Sequence, residues 1–80
     1  MIYTVIWRRQ VQDRLAELWM ASNNRSAITI AADEIDQLLR RRPQAGDIVF
    51  ENGLRFLNVG VLNVLFSIVE DDRKVIVRAV

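Results

Sequence analysis

The most constraining feature of the sequence is the alternation in its C-terminal third. Leu62, Val64, Phe66 and Ile68 alternate with Asn63, Leu65, Ser67 and Val69. A period of two suits a pleated strand with one buried face. Leu54 to Asn58 reads as a strand before it, and Arg73 to Val80 as one after it. Glu70-Asp71-Asp72-Arg73 is the expected turn into the last strand, since Asp tolerates left-handed backbone. With Asp71 and Asp72 as the loop, Ile68 faces Val75 and Phe66 faces Val77. Opposed residues share a face. Leu62, Val64, Phe66, Ile68, Val75, Val77 and Ala79 are then expected on the core face. Asn63, Leu65, Ser67, Lys74, Ile76, Arg78 and Val80 take the other.

The core face needs a cover, and the N-terminal half supplies one. Ile2 to Trp7 is aromatic and β-branched and reads as a strand. It must pair with the later sheet or it would fray. From Arg8 to Ser22 the spacing turns helical, with Val11, Leu15, Leu18 and Trp19 on one side. A second helix is expected over Ser26 to Arg42, with Asn24 or Ser26 as N-cap. Its stripe is Ile28, Ala31, Ile35 and Leu38, widened by Ala32 and Leu39. Pro43 stops it. The short link at Asn23 to Arg25 predicts an antiparallel helical hairpin. Pro43 to Gly46 reads as a loop, Asp47 to Glu51 as a short strand, and Asn52-Gly53 as a turn. The expected architecture over residues 1–80 is a single α+β domain. It has two layers in the order β-α-α-β-β-β, with a helical hairpin on one face of a mainly antiparallel sheet.

The residue inventory removes several kinds of chemistry. The chain has no cysteine and no histidine. Disulfides, zinc sites of the usual kind and histidine-based acid–base catalysis are therefore excluded. A net charge of +1 argues against indiscriminate nucleic-acid binding. No apolar run reaches the roughly 20 residues of a membrane span, and the first residues are too short for a signal peptide. A cytoplasmic protein without cofactor or metal is expected. Asp33 and Asp36 are i, i+3 neighbours on the outer side of the second helix, too few ligands for a metal.

Arg55 is the candidate with most chemical content, and its facing depends on the loop at Val59-Gly60. A two-residue loop sets Leu57 against Leu62 and puts Arg55 on the core side, opposite Val64. A three-residue loop sets Phe56 against Val64 and turns Arg55 outward, opposite Leu65. An unpaired buried guanidinium is costly, so the three-residue loop is expected. Arg55 and Arg78 would then flank Leu65, near Asn63, and could hold phosphate or carboxylate groups. The plainer alternative is that they are ordinary exposed sheet residues.

Arg40-Arg41-Arg42 invites a nucleic-acid reading but more simply complements the negative end of a helix dipole, whereas Arg8-Arg9, at a helix start where cations are unfavourable, is slightly more suggestive of a partner. Tyr3, Trp7 and Trp19 read as core or rim residues, with Trp19 alternatively flooring a groove for a partner helix. Leu65, Ile76 and Val80, with Ile30, suggest an apolar surface that takes a partner or a second copy in a homodimer.

Taken together, several segments in this order resemble the RelE/ParE toxin superfamily, the toxins of bacterial type II toxin–antitoxin modules, often called plasmid stabilisation proteins. They are Tyr3-Thr-Val-Ile-Trp7, Leu15-Ala-Glu-Leu-Trp19, Ala32-Asp-Glu-Ile-Asp-Gln-Leu-Leu39, Gly53-Leu-Arg55-Phe-Leu57 and the hairpin Val64 to Val77. The resemblance implies a cognate antitoxin as partner, and either messenger RNA on the ribosome or DNA gyrase as target. Arg55 matches the basic strand position of RNA-cleaving members. Asn63 falls where those members often carry arginine, and Asn cannot offset phosphorane charge. The sequence stops at Val80 without their C-terminal extension, and Tyr3 lies in a different strand from their aromatic residue. The function expected is therefore toxin-like, through binding a cellular target in the gyrase-directed manner or as a degenerate toxin. The alternatives are a ribosome-dependent endoribonuclease, with Arg55 and Arg78 as catalytic candidates and Glu51 or Glu70 as base, and a non-toxic interaction module. The residues expected to meet target or partner are Arg55, Asn63, Leu65, Ile76, Arg78 and Val80.

Overall fold

The computed structural model describes residues 2–45, 48–49 and 52–80. The order of elements is β1 (Thr4–Trp7), α1 (Arg9–Ala21), α2 (Arg25–Arg41), a 3-10 turn (Pro43–Ala45), β2 (Ile48–Val49), β3 (Arg55–Val59), β4 (Leu62–Val69) and β5 (Lys74–Ala79). The α+β layout expected from the sequence is the one found. The strand expected over 47–51 is described only at Ile48–Val49; Gly46 and Glu51 lie outside the described residues.

The strands form one sheet in the order β1-β5-β4-β3-β2. β1 runs parallel to β5, with Val5 beside Val75 and Trp7 beside Val77. All other neighbours are antiparallel. The first strand joins the later sheet, as expected, and does so by pairing with the last strand. Its entry is fixed by Tyr3 N–H donating to the Arg40 carbonyl at 2.7 Å and Thr4 N–H to the Arg73 carbonyl at 2.9 Å.

Both helices lie on one face of the sheet, α2 against β1, β3 and β4, and α1 against β5. The core between the layers contains Val5, Val11, Ile28, Ala31, Ile35, Leu39, Leu57, Leu62, Val64, Phe66, Val75 and Val77. Phe66, Val75, Val77, Ile35 and Leu39 are fully buried. Each such large side chain contributes about 1.5–3 kcal/mol relative to exposure.

The helices differ in how well they are seated. α2 starts with an Asn24 cap, whose side-chain oxygen accepts from Ala27 N–H at 3.2 Å, and buries Ile28, Ala31, Ile35 and Leu39. Leu38, expected on the stripe, is only half-buried. α1 has no side-chain cap at Arg8 and buries Val11 alone; Leu15 and Leu18 are half-buried and Trp19 is 40% exposed. No helix is long and apolar enough to cross a membrane, among the described residues.

Two turns set the registers. Gly60 has φ +56 and Gly60-Val61 is the loop between Val59 and Leu62, which pair. Glycine at the first central position with positive φ is the pattern of a type II′ hairpin turn. In the β4–β5 turn, Arg73 N–H donates to the Glu70 carbonyl at 3.1 Å. The left-handed residue there is Arg73, φ +50, and neither aspartate.

Candidate functional site: the open sheet face

The face away from the helices is built by alternation. β4 turns Asn63, Leu65, Ser67 and Val69 outward, since Leu62, Val64 and Phe66 are buried. β5 adds Lys74 and Ile76, β3 adds Phe56 and Asn58, and β1 adds Thr4 and Ile6. Ile6 pairs with Ile76, Ile76 with Ser67, and Phe56 with Leu65. The result is two apolar patches, Ile6 with Ile76 and Phe56 with Leu65, separated by Ser67 and Arg78. Ile6 is 38% exposed, while Phe56, Leu65 and Ile76 are half-buried by their strand neighbours. The charged residues among these outward strand positions are Lys74 and Arg78, and no carboxylate joins them.

Arg78 is placed as expected on this face. Its Nε donates to Ser67 Oγ at 2.8 Å, which lays the guanidinium across β4. It does not face Leu65, however. A register shift between Leu65 and Phe66 leaves Phe66 opposite Val77 but Leu65 opposite Ala79. One extra residue on one strand reverses the facing of everything beyond it. Ala79, expected in the core, shares the open face with Leu65. Val80, expected on the open face, packs against the core instead.

The position of Arg55 is a larger correction. The observed loop is Gly60-Val61, so Leu57 meets Val64, Phe56 meets Leu65 and Arg55 meets Phe66. Neither register weighed from the sequence occurs. Arg55 lies on the core side of the sheet, at its margin, and is half-buried. A guanidinium tolerates this when its stem covers apolar surface and its head stays wet. Arg55 and Arg78 therefore flank the same strand row, about 10 Å apart at the usual strand spacing, but on opposite faces. They do not converge on one phosphate.

The remaining candidates are likewise placed. Asn63 is exposed, and its side-chain oxygen accepts from Asn58 Nδ2 at 2.8 Å, an uncharged cross-strand pair beside the turn. Glu70 is about 13 Å beyond Phe66 along the strand direction. Its carboxylate accepts from the Tyr3 hydroxyl at 3.3 Å and from Gln44 Nε2 at 3.4 Å. Glu70 thus ties the β4–β5 turn to Tyr3, just before β1, and to the 3-10 turn. Glu51, the other base considered, is outside the described residues. Among the described residues no three carboxylates gather as metal ligands would.

Trp7 and Trp19 hold the helical layer. Trp7 Nε1 donates to Asp36 Oδ1 at 3.0 Å, and Trp19 Nε1 to Thr29 Oγ1 at 3.3 Å. Sequence reading overlooked Ile6 and Phe56 as members of the open face. Ile6 was within reach, because Tyr3 and Val5 facing inward puts the residue between Val5 and Trp7 outward. Phe56 depended on the β3–β4 loop. No protein-family model matches the sequence, and no curated protein matches it.

Proposed function

We propose that the chain is a toxin-like component of a bacterial type II toxin–antitoxin module, held by a cognate antitoxin and acting in the cytoplasm by binding a cellular target. The single observation that carries this reading is the open sheet face. Two apolar patches lie on it, the charged residues at its described strand positions are both cationic, and nothing in the described chain covers it. An acidic, apolar segment of a partner complements such a surface. The β-α-α-β-β-β order of the resemblance supports the same reading. DNA gyrase is the target this branch of the resemblance suggests.

Nuclease action is the weaker reading on geometric grounds. Arg55 and Arg78 occupy opposite faces, and Glu70 is engaged by Tyr3 and Gln44. Phosphate clamping needs guanidinium groups converging on one site. The test is induction of the chain alone and together with the small gene adjoining its own. Growth arrest without cleavage of reporter message, relieved by co-expression, is the expected result, with inhibition of gyrase supercoiling by the purified chain. Message cleavage that disappears in Arg55→Ala would reverse the order of the two readings. Normal growth on induction, with no partner bound, would leave only a non-toxic interaction module.

A further inference from the structure

A second feature lies on the other side of the molecule. Between α1 and α2 runs a trough of about 610 Å³, within the usual size of small-molecule sites. It exists because small residues stand where larger ones would interdigitate: Ala16 on α1 and Ala32 on α2 both line it. Its wall spans Gln12 to Trp19 on one helix and Ile28 to Asp36 on the other, about 10–12 Å at the helical rise. An indole stands at each end. Trp7 is tethered to Asp36, and Gln12 Nε2 donates to the Trp7 carbonyl at 2.7 Å. Trp19 is tethered to Thr29 at the far end.

The charged residues that line the trough are both acidic, with the Arg25 guanidinium over Trp19 at one end and Arg40 paired with Asp36 at the other. Asp33 and Asp36 line it and no lysine or arginine does. Asp36 is engaged, accepting from Trp7 and pairing with Arg40 Nε at 2.7 Å. Asp33 makes no ion pair or hydrogen bond among the described residues. The aromatic lining also suits a cation: the Arg25 guanidinium already lies 4.6 Å from the centroid of the Trp19 ring.

We propose that this trough binds a compact organic cation, a molecule with a flat apolar body and one protonated amine. The body lies over Ala16 and Ala32 between the two indoles, and the amine meets Asp33.

The chain has two tryptophans, so their two indole N–H signals in a proton–nitrogen correlation spectrum report on both ends at once. The probes are 4-phenylbutylamine, the neutral 4-phenylbutanol and the anionic 4-phenylbutyrate. The amine should shift both indole signals saturably, with the carboxylate about fivefold to tenfold weaker, the scale of an exposed ion pair gained against one repelled. Asp33→Asn should weaken the amine about threefold and leave the alcohol unchanged. Ala16→Leu, at an exposed helical position that favours leucine nearly as well as alanine, should weaken all three at least about tenfold by filling the space. Equal binding of amine and carboxylate, an unaltered amine affinity in Asp33→Asn, or no saturable shift would overturn the proposal. So would movement of the indole signals on concentrating the protein alone, which would make the trough a surface for a second copy. None of these outcomes depends on toxicity or on an antitoxin.

Discussion

The two faces of the sheet are made by the same strands and nearly the same residue types, yet they end differently. Phe66, Val64, Val75 and Val77 are sealed under the helices. Leu65, Ile76, Phe56 and Ile6, one residue away along their strands, stay in contact with water. Alternation alone would mark the second face by polar residues; here Asn58, Asn63, Ser67, Thr4 and two cations are interleaved with apolar groups. The difference teaches that an apolar pattern tells which residues prefer burial, and topology decides which obtain it within the chain. The unsatisfied remainder is where a partner has most to gain.

The comparison can be broken most forcefully at its buried side. Phe66→Ala should cost about 3–5 kcal/mol, read from urea unfolding, because it opens a cavity at a fully buried site. A loss near 1 kcal/mol would mean that this face is not the core. Gly60→Ala comes next, at about 1–2 kcal/mol. Alanine strains at φ +56, although its Cβ would meet only Ala31 Cβ at 3.5 Å. An unaffected stability would remove the turn that faces Phe56 outward and Arg55 inward. Phe56→Ala should cost only about 1 kcal/mol, the scale of a cross-strand pair, and so sharpen the contrast with Phe66. Arg73→Gly should gain about 0.5–1 kcal/mol by relieving a left-handed non-glycine residue; a loss would show that the Arg73 side chain contributes more than its backbone costs.

The layers, the element order and the register around the Asp-rich turn were legible in the sequence. Ile68 against Val75 and Phe66 against Val77 follow once Asp71 and Asp72 are centred in the loop. The other hairpin differs by one residue from the expected register, which rested on the cost of burying Arg55. That cost is small where the sheet margin leaves the residue half-exposed. The better signal was Gly60 itself, which a II′ turn requires at its first central position, fixing the loop as Gly60-Val61. The bulge near Arg78 had no glycine or proline to announce it, and it exchanged the places of Ala79 and Val80. The links from Trp7 to Asp36 and from Tyr3 to Glu70 join residues far apart in sequence. They depend on how the layers stack, which local patterns do not encode.

The most direct test of the open face is a methyl-resolved NMR titration of the chain with the protein encoded beside it. The account predicts shifts at the methyls of Ile6, Leu65 and Ile76, with Val64 and Val75 barely moved and the complex weakened by added salt. Shifts confined to Leu15, Ile28 and Ile30, with the sheet methyls unmoved, would place the partner on the helices and contradict it.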